Sequence, residues 1–303
     1  MGQGRWNTSE WGNYKAAHVA GKSQAQIFRS SSMQPDYDPK RIQVRESRDS
    51  ADNPNSTPII IASDVTGSMG MIAHELMNNG INTVAREIYE RKPVTDPHIM
   101  VMAVGDAKTD YSPLQVTQFE ADIRLADQVR DLYIEGHGGG NGGESYNLAH
   151  VFAGTKVVSD AWEKRRKKGY LFTIGDEPVH DGCTKEELER FIGGSFKSGL
   201  TGQQCVDLAS RTFEVFHIVL MNEGDARHNS KRVLQTWDAI LPQRVIRLED
   251  YTKLGEAIVS TVQVVEGENK DKVAASWGTG TDLVIANAIR DITARNGSGV
   301  VRL

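Results

Sequence analysis

The sequence predicts an α/β fold in which a doubly wound, mostly parallel six-stranded sheet is flanked by helices. One observation behind this is the apolar run at residues 59–63, which is bounded by turn-forming residues, as is typical of a buried parallel strand. A second is that other short apolar runs alternate along the chain with segments of helical periodicity. Alternation of this kind favours helices on both faces of one parallel sheet.

The predicted elements follow one another in order along the chain. Six apolar runs are predicted to be the strands: residues 59–63, 98–104, 114–119, 170–174, 213–220 and 245–248. The run at 114–119 is predicted to be a short edge strand. Segments with apolar residues at three- and four-residue spacing are predicted to be helices: residues 69–91, 123–134, 145–158, 184–192, 205–211, 233–241, 254–265 and 282–294.

Composition narrows the class of protein. The chain has 303 residues and a net charge of −5, which gives no overall attraction to nucleic acid or acidic lipid. It shows neither a signal-peptide pattern nor an apolar stretch long enough to span a bilayer, so we expect no membrane association. We expect a cytoplasmic protein, in a bacterium or an infected host cell. Its two cysteines, Cys183 and Cys205, lack zinc-ligand spacing and are expected to be free thiols.

Oxygen-bearing side chains follow the first predicted strand at alternating positions. Asp64, Thr66 and Ser68 supply one carboxylate and two hydroxyls, and Gly67 permits a tight turn between them. Mg²⁺ prefers about six oxygen ligands and usually keeps several waters. The carboxyl end of a central strand is also where open α/β sheets bind ligands. The sequence therefore predicts a site for Mg²⁺ or Mn²⁺ just after residue 63.

This pattern resembles the metal-ion-dependent adhesion site of von Willebrand factor type A (vWA) domains, whose first motif is Asp-x-Ser/Thr-x-Ser at the end of the first strand. The resemblance covers roughly residues 58–265. It implies two further ligands: Ser145 from a second loop, and Asp176 at the end of the fourth strand. Glu144 precedes Ser145 and is an alternative ligand, either directly or through water.

The same resemblance sets the domain boundaries. Residues 58–265 are predicted to be a vWA-like domain, and residues 1–57 an N-terminal arm that covers part of it. Residues 41–46 in this arm alternate apolar and polar side chains, as an edge strand does. Residues 266–303 are predicted to be a C-terminal extension with one helix, which docks on the domain or reaches a neighbouring subunit.

Two loops and one basic run complete the prediction. Residues 136–143 are rich in glycine but lack the Gly-Lys-Ser/Thr of a nucleotide P-loop, so we do not expect a nucleotide there. The resemblance implies a loop that moves when the metal changes its ligands, and the alternative is a disordered connector. His180 lies near Asp176 in the sequence and raises the question of hydrolysis, but no nucleophile elbow accompanies it. The basic run 164–168 precedes the fourth strand, at the rim opposite the metal. It is either a solvated turn or a patch for phosphate or an acidic partner.

Three functions from different classes remain open. The favoured one, implied by the resemblance, is a non-enzymatic adaptor or assembly protein, for instance beside an AAA+ ATPase, in which an Asp or Glu of a protein partner completes the metal sphere. The second is an RNA- or DNA-binding protein similar to the Ro autoantigen, which would require the basic run to bind phosphate. The third is a metal-dependent phosphohydrolase, but Thr66 stands where the Asp-x-Asp motif of that class has its second carboxylate.

Overall fold

The computed structural model describes residues 4–66, 69–135 and 142–295. It has a six-stranded central sheet, two small two-stranded sheets and flanking helices. The strands are β1 Arg45–Ser47, β2 Thr57–Asp64, β3 Pro97–Val104, β4 Leu114–Val116, β5 Val157–Ser159, β6 Gly169–Gly175, β7 Gly182–Cys183, β8 Leu200–Thr201, β9 Phe213–Leu220 and β10 Val245–Leu248.

The helices lie mostly in the crossovers between these strands. They are α1 Thr8–His18, α2 Gln24–Ile27, α3 Gly70–Glu75, α4 Ile81–Arg91, α5 Arg124–Arg130, α6 Tyr146–Lys156, α7 Asp160–Arg165, α8 Lys185–Glu187, α9 Gly202–Ala209, α10 Gly224–Ile240, α11 Leu254–Val265, α12 Lys270–Ala275 and α13 Thr281–Ala288. A π-helical turn, Leu76–Gly80, joins α3 to α4, and a second one, Leu188–Ile192, follows α8.

The strand order of the central sheet is β10-β9-β6-β2-β3-β4. All neighbouring pairs are parallel except β3 and β4, which are antiparallel at one edge. The order reverses between β2 and β6, which makes the space beyond their carboxyl ends the topological switch point. The predicted doubly wound, mostly parallel six-stranded sheet is confirmed.

The sheet separates two hydrophobic cores because side chains alternate across it. Ile59 and Ile61 of β2 face the core beneath α3, α4 and α11, whereas Ile60 and Ala62 face the core beneath α6, α9 and α10. All four are fully buried. A strand buried on both faces has a continuous apolar sequence, which is why the run at 59–63 correctly predicted a central strand.

The N-terminal arm is more ordered than its composition indicates. Helix α1 begins at the cap residue Asn7, whose side chain accepts two backbone N–H groups, and it buries Trp11 against the α4 side of the domain. The edge strand predicted at residues 41–46 is shorter and lies further along the chain. Strand β1, Arg45–Ser47, pairs in parallel with β5, Val157–Ser159, outside the central sheet.

The C-terminal segment docks on the domain. Helix α13 is shorter than predicted, and α12 was not predicted. Ile285, Ile289 and Ile292 are buried in the core shared with α11. Full burial of an aliphatic side chain contributes about 1.5–3 kcal/mol, so these three residues fasten the segment to its own domain.

Candidate metal centre

Asp64 ends strand β2 and is fully buried. Its Oδ1 accepts the backbone N–H of Thr66 at 2.8 Å, which forms an Asx turn as the chain leaves the strand. The hydroxyl of Tyr146 donates to Asp64 Oδ2 at 3.2 Å from the first turn of α6. The carboxylate is therefore held by two elements at the switch point of the sheet.

Glu144 is brought to Asp64 through Thr66. Thr66 Oγ1 lies 2.7 Å from Asp64 Oδ1 and 3.1 Å from Glu144 Oε1. The backbone of Glu144 is fixed by hydrogen bonds to Pro178 and His180, at 3.0 and 3.4 Å, so the loop before α6 is tied to the loop after β6. Within the described residues, the buried Glu144 Oε2 has no hydrogen-bond partner.

The carboxylate oxygens of Asp64 and Glu144 outnumber the hydrogen-bond donors that the described residues place next to them. The Thr66 hydroxyl has one proton, yet it lies between a carboxylate oxygen of Asp64 and one of Glu144. Burial raises the pKa of Asp64 to about 8, and burial together with the charge of Asp64 raises the pKa of Glu144 to about 10. Either an extra proton or a cation must stabilise this group of oxygens.

Asp176 follows β6 and belongs to the same edge of the sheet. Its Oδ2 accepts the backbone N–H of Asp225 at 2.6 Å, at the start of α10. Burial raises the pKa of Asp176, with smaller contributions from Asp225 and Glu223, and the charge of Asp176 in turn raises the pKa of Asp64. Asp176 is therefore an electrostatic neighbour of Asp64.

Ser145 is turned toward a second polar group. Its Oγ donates to Asp106 Oδ1 at 2.9 Å and accepts the backbone N–H of Ala107 at 2.9 Å. His180 Nε2 also lies 2.9 Å from Asp106 Oδ1, and Lys108 Nζ lies 3.2 Å from His180 Nδ1. Because an ammonium only donates, Nδ1 is the acceptor and Nε2–H donates to Asp106. His180 thus contacts Asp106 and not Asp176.

The predicted ligands therefore divide into three groups. In the first, the Thr66 hydroxyl lies within hydrogen-bond distance of both Asp64 and Glu144. In the second, the charge of Asp176 acts on Asp64. In the third, Ser145 hydrogen-bonds to Asp106. Ser68 and most of the glycine-rich loop, residues 136–141, lie outside the described residues. In the described part of the chain, no group of three or more His, Cys, Asp or Glu side chains is placed to hold a metal ion.

Two functional contacts were not predicted from the sequence. Tyr146 orients Asp64, and the backbone N–H of Asp225 orients Asp176. A signal for Tyr146 was its position immediately after Ser145, at the start of a helix whose first turn faces the strand end. No pattern in the sequence indicates the contact of Asp225.

The donor set fits a hard divalent cation. Asp64, Thr66 and Glu144 offer only oxygen, which is the ligand type that Mg²⁺ prefers. Glu144 Oε2, without a hydrogen-bond partner in the described chain, leaves one buried carboxylate oxygen available to such an ion. These three side chains supply fewer oxygens than the roughly six that Mg²⁺ prefers, so a bound cation would keep coordination positions for further ligands.

A layer of stacked rings lies behind Tyr146. The rings of His217 and Trp237 are stacked, with centroids 3.4 Å apart and an interplanar angle of 8°. Tyr146 meets both edge-on, at 5.1 and 5.2 Å, and His150 lies 6.3 Å from Trp237. Both histidines are fully buried. This packing fixes the direction in which the Tyr146 hydroxyl points.

His150→Leu is expected to protect the protein against acid. Burial lowers the pKa of His150 to about 3, from 6.5 in the unfolded chain. Above pH 6.5 the ring is neutral in both states, but as the pH falls below 6.5 only the unfolded state takes up the proton. The folded protein therefore loses up to about 1.4 kcal/mol per pH unit from this residue. Urea unfolding from pH 7.5 to 5.0 should show the variant gaining about 2 kcal/mol on the wild type.

The exposed His228 supplies the control for this experiment. The gain between pH 7.5 and 5.0 should be larger for His150→Leu, whose ring is fully buried, than for His228→Leu, which makes the same replacement at an exposed position. Equal acid sensitivity of His150→Leu and the wild type would show that the His150 ring is protonated in the folded state.

In the described part of the chain, no helix has the length and apolar character needed to cross a membrane.

The sequence matches no protein-family model and no curated protein. Two crystal structures of the pilus adhesin SpaC from Lactobacillus rhamnosus GG are similar to this chain at 9% identity. The open conformation gives a TM-score of 0.45 over 76% of this chain, and the other form gives 0.44 over 72%. The chain spans 31% of the adhesin's length.

Proposed function

We propose that this chain is a vWA-like, metal-dependent protein-binding protein that acts as an adaptor or assembly factor. Its metal is Mg²⁺ or Mn²⁺, and Asp64, Thr66 and Glu144 are the residues that hold it. Ser68, Ser145 and Asp176 complete the motif that the family resemblance assigns to the same ion. The partner contributes an Asp or Glu carboxylate.

A single observation carries this proposal. Two buried carboxylates, from Asp64 and Glu144, share the single proton of the Thr66 hydroxyl at the switch point of a doubly wound sheet. A divalent cation stabilises such a set of oxygens without protonating either acid, because hard cations bind carboxylate and hydroxyl oxygens directly. The location agrees with the position at which open α/β sheets bind ligands.

The side chains around the centre have separate tasks. Tyr146 and the Thr66 N–H hold the two oxygens of Asp64 in place, and the Asp225 N–H holds Asp176. A bound cation would offer an open coordination position that an acidic side chain of the partner fills. The protein's part is to orient its oxygens and to keep them buried, since electrostatic attraction is stronger where water is excluded.

Neither alternative function gains an observation that favours it over the adaptor function. Nucleic-acid binding would need the whole basic run, but Lys164 and Arg165 form ion pairs with Asp49 at 3.3 and 2.7 Å. Phosphohydrolysis would need a general acid at position 66, and Thr66 cannot take that role. We therefore keep the adaptor function as the proposal.

Two substitutions in adjacent residues test the ligand set. We expect Glu144→Gln to weaken Mg²⁺ binding at least tenfold, measured by isothermal titration calorimetry, because a charged ligand becomes neutral. Ser145→Ala should have a smaller effect, since its hydroxyl bonds to Asp106.

An affinity pull-down from cell lysate, read by mass spectrometry, should retain partners with Mg²⁺ and release them with a chelator. Wild-type protein that binds no Mg²⁺ by calorimetry would refute the proposal.

A further inference from the structure

A cavity of about 210 Å³ lies at the edge of the sheet opposite the candidate metal centre. Thr57, which opens β2, contributes to its wall, whereas Asp64 closes the same strand. Eight residues of β-strand separate these ends by about 23 Å, so the cavity is a separate place on the molecule. Among the described residues, five cationic side chains and one carboxylate, that of Glu266, line it; the cations are Lys92, Arg165, Lys167, Lys168 and Arg295.

Two of these cations are already neutralised. Arg165 forms an ion pair with Asp49 at 2.7 Å, and Arg295 forms ion pairs with Glu266 and Glu214, each at 3.2 Å. The carboxylate of Glu266 in the wall is therefore already paired with Arg295, and Arg165 is paired with Asp49.

The three lysines have no carboxylate partner in the part of the chain that the structure describes. Lys168 Nζ donates to the backbone carbonyl of Ser210 at 2.6 Å, which carries no formal charge. The ammonium groups of Lys92 and Lys167 have neither a hydrogen bond nor an ion pair within residues 4–66, 69–135 and 142–295. The cavity therefore has an excess of positive charge.

Helix dipoles do not account for this excess. Helices α4 and α7 end near the cavity, and basic residues in the last turn of a helix stabilise its carboxyl end. Arg91 already fills that position in α4, as do Lys164 and Arg165 in α7. Lys92 lies beyond the end of α4 with φ +55°, a left-handed conformation that favours glycine and costs a lysine about 1–2 kcal/mol.

We propose that this cavity binds a single phosphate group through Lys92, Lys167 and Lys168. Its volume is below the roughly 300–1,000 Å³ of sites for drug-sized ligands, so it suits a small anion. Lysine binds phosphate as a point charge, and the hydroxyl of Thr57 in the wall offers a hydrogen-bond donor. The phosphate is either free, as inorganic phosphate or a phosphomonoester, or part of a nucleic-acid backbone.

Isothermal titration calorimetry of the full chain with inorganic phosphate, at constant ionic strength, tests the site. We expect the double variant Lys92→Gln/Lys167→Gln to bind phosphate at least tenfold more weakly than the wild type. Both side chains are exposed, so the variant should fold, as circular dichroism will show. The matched control Lys197→Gln/Lys231→Gln removes two exposed lysines elsewhere and should bind as the wild type does.

Two further ligands distinguish the sources. Phenyl phosphate that binds with the same dependence on Lys92 and Lys167 supports the site and assigns it to monoesters. A twelve-nucleotide DNA without terminal phosphate, bound more tightly than inorganic phosphate and with the same dependence, supports it for phosphodiesters. Phosphate binding that is absent in the wild type, or unchanged in Lys92→Gln/Lys167→Gln, overturns the proposal.

Discussion

Asp64→Ala is expected to weaken Mg²⁺ binding at least 100-fold and to abolish metal-dependent capture of a protein partner. Asp64 is the carboxylate that β2 delivers to the switch point, and it lies 2.7 Å from the Thr66 hydroxyl that connects it to Glu144. Changes in residues that only orient a metal ligand already cost 10–100-fold in affinity, so loss of a charged ligand should cost more. Calorimetry with Mg²⁺ and the pull-down with and without chelator measure the two effects.

The fold should survive this substitution. Asp64→Ala removes the hydrogen bonds from Thr66 and Tyr146 but also removes a buried carboxylate next to two others. These effects oppose each other, and we expect the free energy of unfolding without metal to change by no more than about 2 kcal/mol. Glu249→Ala, an exposed carboxylate after β10, is the control and should bind Mg²⁺ normally. Retention of the same partners by Asp64→Ala in the presence of chelator would contradict the metal mechanism.

The central sheet was predictable because its strands are buried on both faces. A strand such as β2 or β6 has no polar side to interrupt its apolar run, so the sequence marks it clearly. The same reason places the carboxylates Asp64 and Asp176 at one edge, since parallel strands end together. Both features come from local sequence combined with one topological rule.

The choice between Glu144 and Ser145 was not predictable in this way. It depends on how the loop before α6 pairs with residues 178–180, a contact between segments more than thirty residues apart. With that pairing, Glu144 contacts Thr66 and Ser145 contacts Asp106.

Helix α1 was not predicted, for a related reason. Its N-cap and its buried Trp11 act through tertiary packing, and its polar composition gives little amphipathic signal.

Gly175→Ala is expected to destabilise the protein and to weaken metal binding together. A Cβ at position 175 would lie 1.8 Å from the Tyr146 hydroxyl oxygen, far inside contact distance. Tyr146 is fully buried against the His217 and Trp237 rings, and Gly175 is held in register with Val219 of β9. Overpacking of this kind costs about 3 kcal/mol, so the melting temperature should fall by roughly 5–10 °C. Mg²⁺ affinity should fall as well, because the displaced hydroxyl no longer orients Asp64.

Gly12→Ala gives the matched control, since a Cβ at this helical position in α1 meets nothing within 4 Å. It should leave Mg²⁺ binding unchanged and stabilise the fold by up to about 1 kcal/mol, the helix preference for alanine over glycine. Adding Tyr146→Phe to Gly175→Ala removes the oxygen at 1.8 Å but leaves ring carbon Cζ at 2.8 Å. The double variant should therefore recover part of the lost melting temperature without recovering Mg²⁺ affinity. If Gly175→Ala melts and binds Mg²⁺ as the wild type does, Tyr146 does not hold Asp64 in the way the structure indicates.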